Sequence, residues 1–252
     1  MYLIAGNKNR HPLYRDPSNS YQPLLPIFTI LATMTILSFN THSKPKRDNP
    51  VKLISLNASP FARKVRILIL ELGLQNSVVI QDPGAVTPAS NNELLNKVNP
   101  LGLIPALELE SGENIYDSLV ICDYLNHFAG GSLFPKDPEQ RIQALALHSL
   151  ANSMLDLAVS LRYETALRPA ELRWQTWIDH QKEKIERGLD SLEKRCHSFN
   201  SSPLIGEISV ACILGYMDFR YADNDWRENR PALANWFEEV MKRDSMIQTI
   251  PE

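Results

Sequence analysis

The chain has 252 residues, of which 44% are hydrophobic, so it holds enough apolar material to bury one or two cores. Its formal net charge of −3 at pH 7 gives no reason to expect a nucleic-acid partner. The three cysteines, Cys122, Cys196 and Cys212, lie at wide and unrelated spacings, which argues against a disulfide framework and against a metal site. A reducing compartment, the cytoplasm, is therefore the expected location.

The first 50 residues differ from the rest. They carry six basic and two acidic residues, a net charge of +4, which leaves −7 for residues 51–252. The apolar run Leu24–Phe39 is shorter than the roughly 20 residues that a membrane-spanning helix needs. A degenerate signal or membrane anchor, an organelle-targeting tail and a disordered extension are the alternatives. We favour a disordered extension that ends in a basic linker at Lys44–Pro50, so a membrane contact is expected only if Leu24–Phe39 acts as an anchor.

A strand, a turn and a helix are predicted at the start of the next segment. Val51–Leu56 is largely aliphatic, as expected of a buried strand, and Pro60 suits the first turn of a helix whose apolar stripe runs toward Gly73. Ser59 then lies beside the unpaired N–H groups of the helix start, where an anion such as a thiolate is stabilised. On this segment alone, a simple helix N-cap is the favoured interpretation of Ser59.

The turn Asn99–Gly102 precedes an apolar strand predicted over Ile104–Leu109. Because proline cannot donate a hydrogen bond to a sheet, Pro105 belongs at the first position of that strand. The Ile104–Pro105 bond is a candidate for the cis form.

A short strand predicted at Asn114–Tyr116 leads into a helix from Leu119 to about Phe128. Asp117 and Ser118 lie at the start of this helix. A carboxylate-binding corner forms readily there, although Asp117 is equally well explained as an N-cap.

A further strand is predicted at Ser77–Gln81 and a further helix at Asn91–Val98. Residues 51–128 therefore follow the order βαβ-α-ββα, that of a thioredoxin-like domain. A Gly- and Pro-bearing stretch at 129–137 predicts a linker, and residues 138–252 show helical periodicity without strands. The fold class is therefore α/β plus all-α, a thioredoxin-like N-terminal domain followed by an all-helical C-terminal domain. Helices are predicted at Glu139–Tyr163, Ala170–Arg195, Ser209–Tyr221 and Pro231–Lys242. Trp174 and Trp177 share a helix face and are assigned to the core.

Three segments together resemble the cytosolic glutathione S-transferase family: Ser-Pro-Phe-Ala-Arg-Lys at 59–64, Asn-Pro-Leu-Gly-Leu-Ile-Pro-Ala-Leu at 99–107, and the Asp-Ser helix start at 117–118. They come in the family's order and at its spacing. The resemblance covers about residues 51–250 and is greatest to a bacterial YibF-like subgroup that carries Ser-Pro-Phe-x-Arg-Lys. It implies a homodimeric transferase that joins glutathione, as co-substrate, to a small electrophile without a bound cofactor or metal.

The resemblance also implies roles for single residues. Ser59 would stabilise the glutathione thiolate and is the expected catalytic residue. Ile104, beside a cis Pro105, would bind the cysteinyl part of glutathione through its backbone. Asp117 and Ser118 would hold the γ-glutamyl end, with Asp117 standing where the family usually has Glu or Gln.

The electrophile pocket is expected at Phe61, Arg162 and Tyr163, because in the family the end of the first long bundle helix overlooks that pocket. Arginine and tyrosine there would orient an anionic or aromatic substrate. The alternative is an exposed helix end held by ion pairs that involve Glu164 and Arg168.

Two further positions depart from the family pattern. Leu103 replaces a Lys, Gln or Arg that reaches the glycyl end of glutathione, so either Lys97 or Asn99 substitutes for it or glutathione binds weakly. Ser209 fits the N-cap of a buried capping box, and Cys212 replaces the acid three residues later, so that helix is expected to lose one reciprocal bond.

Two other functions compete with the transferase. A non-enzymatic binding or regulatory protein of the same fold is favoured by Leu103 and opposed by Ser59 and the Asp117–Ser118 pair. A glutathione-dependent thiol oxidoreductase is disfavoured, because the position of Ser59 would need a cysteine for a mixed disulfide.

Overall fold

The computed structural model describes residues 51–200 and 202–252, so the apolar run Leu24–Phe39 and the expected extension lie outside the described residues. Four strands form one sheet in the order β2-β1-β3-β4, with β1 parallel to β2 and the other two pairs antiparallel. The strands are β1 (Val51–Ile54), β2 (Val78–Gln81), β3 (Ala106–Glu108) and β4 (Asn114–Ile115). Each is shorter by one to three residues than its predicted run.

Side-chain alternation along the strands distributes three helices over the two faces of the sheet. These helices are α1 (Pro60–Glu71), α2 (Glu93–Val98) and α3 (Ser118–Ala129). Leu53 and Leu107 pack in one buried cluster with residues of α1 and α3. Ile54 and Ala106, one residue along each strand, pack in another with α2. The predicted thioredoxin-like arrangement is confirmed.

The remaining chain is helical, as predicted. Its helices are α4 (Pro138–Ala166), α5 (Gln175–Arg195), α6 (Ile205–Arg220), α7 (Pro231–Val240) and α8 (Asp244–Ile247). The central helix α6 is buried over most of its length and packs on α4. By length and composition α4 could span a membrane, yet Ala151, Leu155 and Ala158 on it are fully buried in the bundle, as in a core helix.

The predicted helix over Ala170–Arg195 is interrupted. Ala170–Leu172 forms a single 3-10 turn, and α5 begins only at Gln175. The break is stabilised from outside, because the Glu164 carboxylate accepts a hydrogen bond of 3.1 Å from the Trp174 backbone N–H. The assignment of Trp174 to the core was wrong, since its side chain is 66% exposed, whereas Trp177 does pack against the core.

The predicted N-cap at Ser209 was also wrong, because α6 begins four residues earlier. Ser209 lies inside the helix, where its hydroxyl donates a 2.7 Å hydrogen bond to the Ile205 carbonyl. The carboxylate that serves the helix start belongs to Glu207, which accepts from the Leu204 backbone N–H at 3.1 Å and from Asn200. The replacement of an acid by Cys212 therefore leaves this start intact, and Cys212 is simply buried.

His148, in the bundle core, gives the fold a testable pH dependence. Its Nδ1 lies 2.8 Å from the Ser209 hydroxyl oxygen, which has already donated its proton to Ile205, so Nδ1–H is the donor. Burial lowers the pKa of His148 from 6.5 to about 4. At pH values between 6.5 and about 4, His148 is protonated in the unfolded chain and neutral in the folded chain. The free energy of unfolding therefore falls as the pH falls.

We expect the titration of His148 to lower the free energy of unfolding by about 2–3 kcal/mol when the pH falls from 7.5 to 4.5. His148→Asn keeps a donor near Ser209 but removes the titration. Urea unfolding of both proteins at the two pH values isolates the effect as a double difference, because every other titrating group is common to both. An equal loss of stability in the two proteins would exclude His148 as the source.

Candidate functional site

A cleft of about 650 Å³ opens where the start of α1, two loops of the first domain, α4 and α6 meet. All residues singled out for catalysis, glutathione binding or the electrophile pocket line it: Ser59, Phe61, Ile104, Pro105, Asp117, Ser118, Arg162 and Tyr163. They come from four separate stretches of the chain. A deep, partly apolar cleft with a few convergent polar groups is the usual form of a small-molecule site.

Ser59 is the N-cap of α1 and is 9% exposed. Its hydroxyl oxygen accepts a hydrogen bond of 3.2 Å from the Ala62 backbone N–H. A serine hydroxyl can accept and donate at the same time, so capping leaves its own proton free to point into the cleft. The N-cap and the thiolate-stabilising interpretations are therefore compatible.

The loop before Pro105 presents free backbone groups to the cleft. The Ile104–Pro105 bond is cis, and within the described residues the Ile104 N–H and C=O make no hydrogen bond. The Asn99 side chain holds the loop by accepting from the Leu101 N–H at 3.0 Å and donating to the Leu103 carbonyl at 2.9 Å. Gly102 permits this turn with a φ of +61°. A free edge of this kind can pair with the backbone of a peptide ligand.

Asp117 and Ser118 form the start of α3. One carboxylate oxygen of Asp117 accepts from the backbone N–H groups of Leu119 and Val120, at 3.0 and 3.3 Å, so Asp117 is an N-cap. Its other oxygen has no partner among residues 51–200 and 202–252. The Ser118 hydroxyl accepts a hydrogen bond and keeps its proton available, and its backbone N–H is one of the unpaired donors of the helix start. Carboxylate-binding and ammonium-binding groups are thus adjacent.

Lys64 is the residue beside this corner that sequence reasoning missed. Its side chain is fully buried, and its ammonium group donates to the Ser118 hydroxyl at 3.2 Å and to the Asn152 side-chain oxygen at 2.7 Å. Burial lowers its pKa, and no carboxylate of the described chain lies within 4.0 Å of it. A lysine within the apolar stripe of α1 is the sequence signal that could have revealed it, since an unpaired lysine is rarely buried.

Much of the remaining cleft wall is apolar. Phe61 and Val159 face it, and five of its large hydrophobic side chains are exposed: Leu101, Leu103, Tyr116, Tyr163 and Leu167. Such a concentration of exposed apolar surface in one concave region indicates a binding surface. Asp156, Tyr216 and Arg220 also line the cleft and were not predicted, because α4 and α6 bring them in from distant parts of the chain.

The end of α4 contributes to the cleft through some residues and forms an exposed, ion-paired helix end through others. Glu164 and Arg168 form an ion pair of 2.6 Å at an exposed helix end. Arg162 and Tyr163 line the cleft instead. Burial raises the pKa of the Tyr163 hydroxyl, so it is protonated at neutral pH.

Neither proposed substitute for the missing polar side chain at Leu103 is available. Leu103 is 58% exposed within the cleft. Both ends of the Asn99 amide are engaged in holding the loop, and Lys97 lines a separate, smaller cleft. This part of the site therefore offers an apolar surface.

Within the described residues, the cysteines and other metal-ligating residues form neither a reactive thiol site in the cleft nor a metal site. Cys122, Cys196 and Cys212 are free thiols, and all are buried outside the cleft. Burial raises the pKa of Cys122 to about 12, so it is not a thiolate at neutral pH. Nor do any three His, Cys, Asp or Glu side chains of that part cluster closely enough to hold a metal ion.

Comparison with known proteins agrees with this geometry. The sequence model of the glutathione S-transferase N-terminal domain matches residues 58–127, and that of the C-terminal domain matches residues 175–239. The chain is 30% identical over 210 residues to an uncharacterized GST-like protein, YibF, of Escherichia coli strain K12. That similarity covers 80% of this chain and 98% of the relative.

Solved structures give the same result. A glutathione transferase family member from Pseudomonas fluorescens Pf-5, with bound glutathione, is 43% identical with a TM-score of 0.78. The match covers 80% of this chain and 99% of that one. A structure from the same source with bound S-(propanoic acid)-glutathione is 42% identical, with a TM-score of 0.74, and is matched over 80% of this chain and 100% of the other.

Proposed function

Because the chain belongs to the glutathione S-transferase family, we propose that it joins the thiol of glutathione to a small electrophile. The observation that carries the proposal is the convergence of Ser59, Ile104 and the Asp117–Ser118 corner on one cleft. Relatives with bound glutathione support it. The homodimer stays a prediction from the family resemblance, and the cytoplasmic location stays a prediction from the cysteines.

In this proposal the start of α1 activates the thiol. A free thiol of this type has a pKa near 8.5, and the Ser59 hydroxyl proton and the helix N-terminus both stabilise the thiolate, so a bound value of roughly 6–7 is expected. The thiol proton leaves to solvent. The sulfur electron pair then forms a bond to the electrophilic carbon while a leaving group departs with its bonding pair, or while a carbon–carbon double bond opens and its carbon takes up a proton.

The remaining groups hold the tripeptide. The free N–H and C=O of Ile104 pair with the backbone of its cysteinyl residue, next to the cis Pro105. The Ser118 hydroxyl and backbone N–H bind the γ-glutamyl carboxylate, and the unpartnered oxygen of Asp117 binds the ammonium group. Leu103 gives the glycyl carboxylate no polar contact, so glutathione binds more weakly than in relatives with Lys, Gln or Arg there.

A non-enzymatic binding protein is the second candidate, and the exposed Leu103 with no polar substitute favours it. A thiol oxidoreductase is opposed by the absence of any cysteine from the cleft lining. If glutathione binds, assays of conjugation with a panel of small electrophiles separate the transferase from the non-enzymatic binding protein.

Calorimetric titration of reduced glutathione into the full-length protein tests the proposal. We expect binding in the micromolar-to-millimolar range, weakened at least about tenfold by Ser118→Ala, because a hydrogen bond to a charged group is lost. Ser198→Ala, which removes an exposed serine bonded only to the Arg195 carbonyl, is the matched control and should bind as the parent does. If no binding is measured at high millimolar glutathione, the proposed function is wrong, and a protein partner should be sought instead.

A further inference from the structure

Two arginines of the cleft have no acidic partner. Arg162 comes from α4 and Arg220 from α6, and no carboxylate of the described chain lies within 4.0 Å of either guanidinium group. Several other arginines of the bundle form ion pairs, such as Arg227 with Asp218 at 2.7 Å. Two unpaired guanidinium groups facing one cleft make a local positive charge that a ligand can neutralise.

The two acids that line the same cleft form no ion pair with these arginines in the described residues. Asp117 caps α3, and Asp156 accepts from the Asn152 side chain at 3.4 Å. The Asp156 pKa is raised by burial and lowered by the charge of Lys64, and neither arginine contributes to it. Neither guanidinium group is therefore neutralised by an ion pair with a cleft carboxylate of the described residues.

The two guanidinium groups share one neighbour, Tyr216. Both charges act on the Tyr216 hydroxyl, and Arg220 hydrogen-bonds to that hydroxyl and lies over the Phe219 ring at 3.8 Å. Burial raises the Tyr216 pKa to about 12, so the phenol is neutral at pH 7 and does not neutralise the arginines. Arg220 is thus fixed in place before a ligand arrives.

We propose that the electrophile of this protein carries a carboxylate on an apolar, aromatic body. The guanidinium groups of Arg162 and Arg220 bind the carboxylate, and Phe61, Leu103 and Tyr163 contact the ring. This inference rests on the proposed function, because the carboxylate lies on the group that becomes attached to the glutathione sulfur.

Two conjugates of glutathione test the inference by binding alone. S-(4-carboxybenzyl)glutathione and S-(4-carbamoylbenzyl)glutathione have nearly the same shape and differ in one charge. We expect the full-length protein to bind the carboxylate about tenfold more tightly than the amide by calorimetry. The preference should decrease with added salt, because it is electrostatic. Taking the ratio of the two dissociation constants cancels the contribution of the glutathione part.

The double variant Arg162→Gln, Arg220→Gln should lower that ratio to about one. Arg168→Gln, which removes an exposed arginine paired with Glu164, is the control and should keep the ratio. Equal affinity of the parent for both conjugates would overturn the inference while leaving the proposed function in place, and so would a preference that persists in the double variant. If neither conjugate nor glutathione binds, the proposed function fails, and this inference fails with it.

Discussion

Replacing Ser59 with alanine is expected to lower kcat/KM for conjugation about a hundredfold while changing glutathione affinity by no more than about threefold. The reason lies in the geometry of the hydroxyl, which accepts from the Ala62 N–H and keeps its own proton for the sulfur. Removing one hydrogen-bond donor that points at a developing or bound anion typically lowers the rate by a factor of this order. The tripeptide keeps its contacts with Ile104, Asp117 and Ser118, so binding survives.

The same variant should raise the pKa of the bound thiol by about 1–2 units, because the helix N-terminus remains while the hydroxyl proton is lost. The pH profile of kcat/KM then shifts to higher pH, and turnover of the variant partly recovers in alkaline buffer. Ultraviolet absorbance of the thiolate in the glutathione complex measures this pKa independently of any electrophile. Equal turnover by variant and parent would remove Ser59 from the mechanism.

Loss of the helix cap must be separated from loss of the thiolate donor, and the chain offers a matched control. Asp137 caps α4 as Ser59 caps α1, with a proline following each cap, and it accepts from the Gln140 N–H at 2.9 Å. Asp137→Ala and Ser59→Ala should each lower the free energy of unfolding by about 1 kcal/mol. Only Ser59→Ala should lower turnover. A comparable loss of turnover in both variants would show that the stability of the fold, and not the contact with the thiolate, controls activity.

The part of the site that the sequence predicted lies in turns whose chemistry is local. Ser59 follows a strand and precedes a proline, and the Asp117–Ser118 corner begins a helix, so neighbouring residues determine where these groups lie. The same holds for the sheet, because the apolar alternation of Leu53 and Ile54 determines the face that each side chain occupies. Four separate stretches could therefore be assigned to one site before any coordinates were known.

The residues that were missed act across long distances in the chain. Lys64 reaches Asn152, and Arg220 meets the Tyr163 end of α4 only through the packing of α6 on α4. The error at the start of α6 has a different cause: the contacts of Glu207 with Leu204 and Asn200 are local, and the family's pattern suggested Ser209 instead. The short helix α8 was not predicted because four residues are too few for a periodic pattern.

Replacing Lys64 with methionine is expected to weaken glutathione binding by about ten- to a hundredfold without destabilising the fold. The ammonium group lies 3.2 Å from the Ser118 hydroxyl and is the positive charge nearest the proposed position of the γ-glutamyl carboxylate. Methionine fills a similar volume and removes the cost of burying an unpaired charge, so the free energy of unfolding should stay equal or rise. Ser118 and Asn152 line the cleft, where water can replace the lost donor.

Arg63→Met provides the control for Lys64→Met, because the two cations are adjacent on α1, equally buried and equally without a carboxylate partner. Arg63 faces the C-terminal segment instead of the cleft: it donates to the Met246 carbonyl at 3.3 Å and to the Thr249 hydroxyl at 3.4 Å. Its Nη1 has no hydrogen-bond partner among the described residues, and burial lowers the pKa of its guanidinium group. Glutathione affinity by calorimetry should therefore fall in Lys64→Met and persist in Arg63→Met. A similar loss in both variants would mean that the general positive charge of α1 attracts glutathione, whereas undiminished affinity in Lys64→Met would show that Ser118 binds the carboxylate without it.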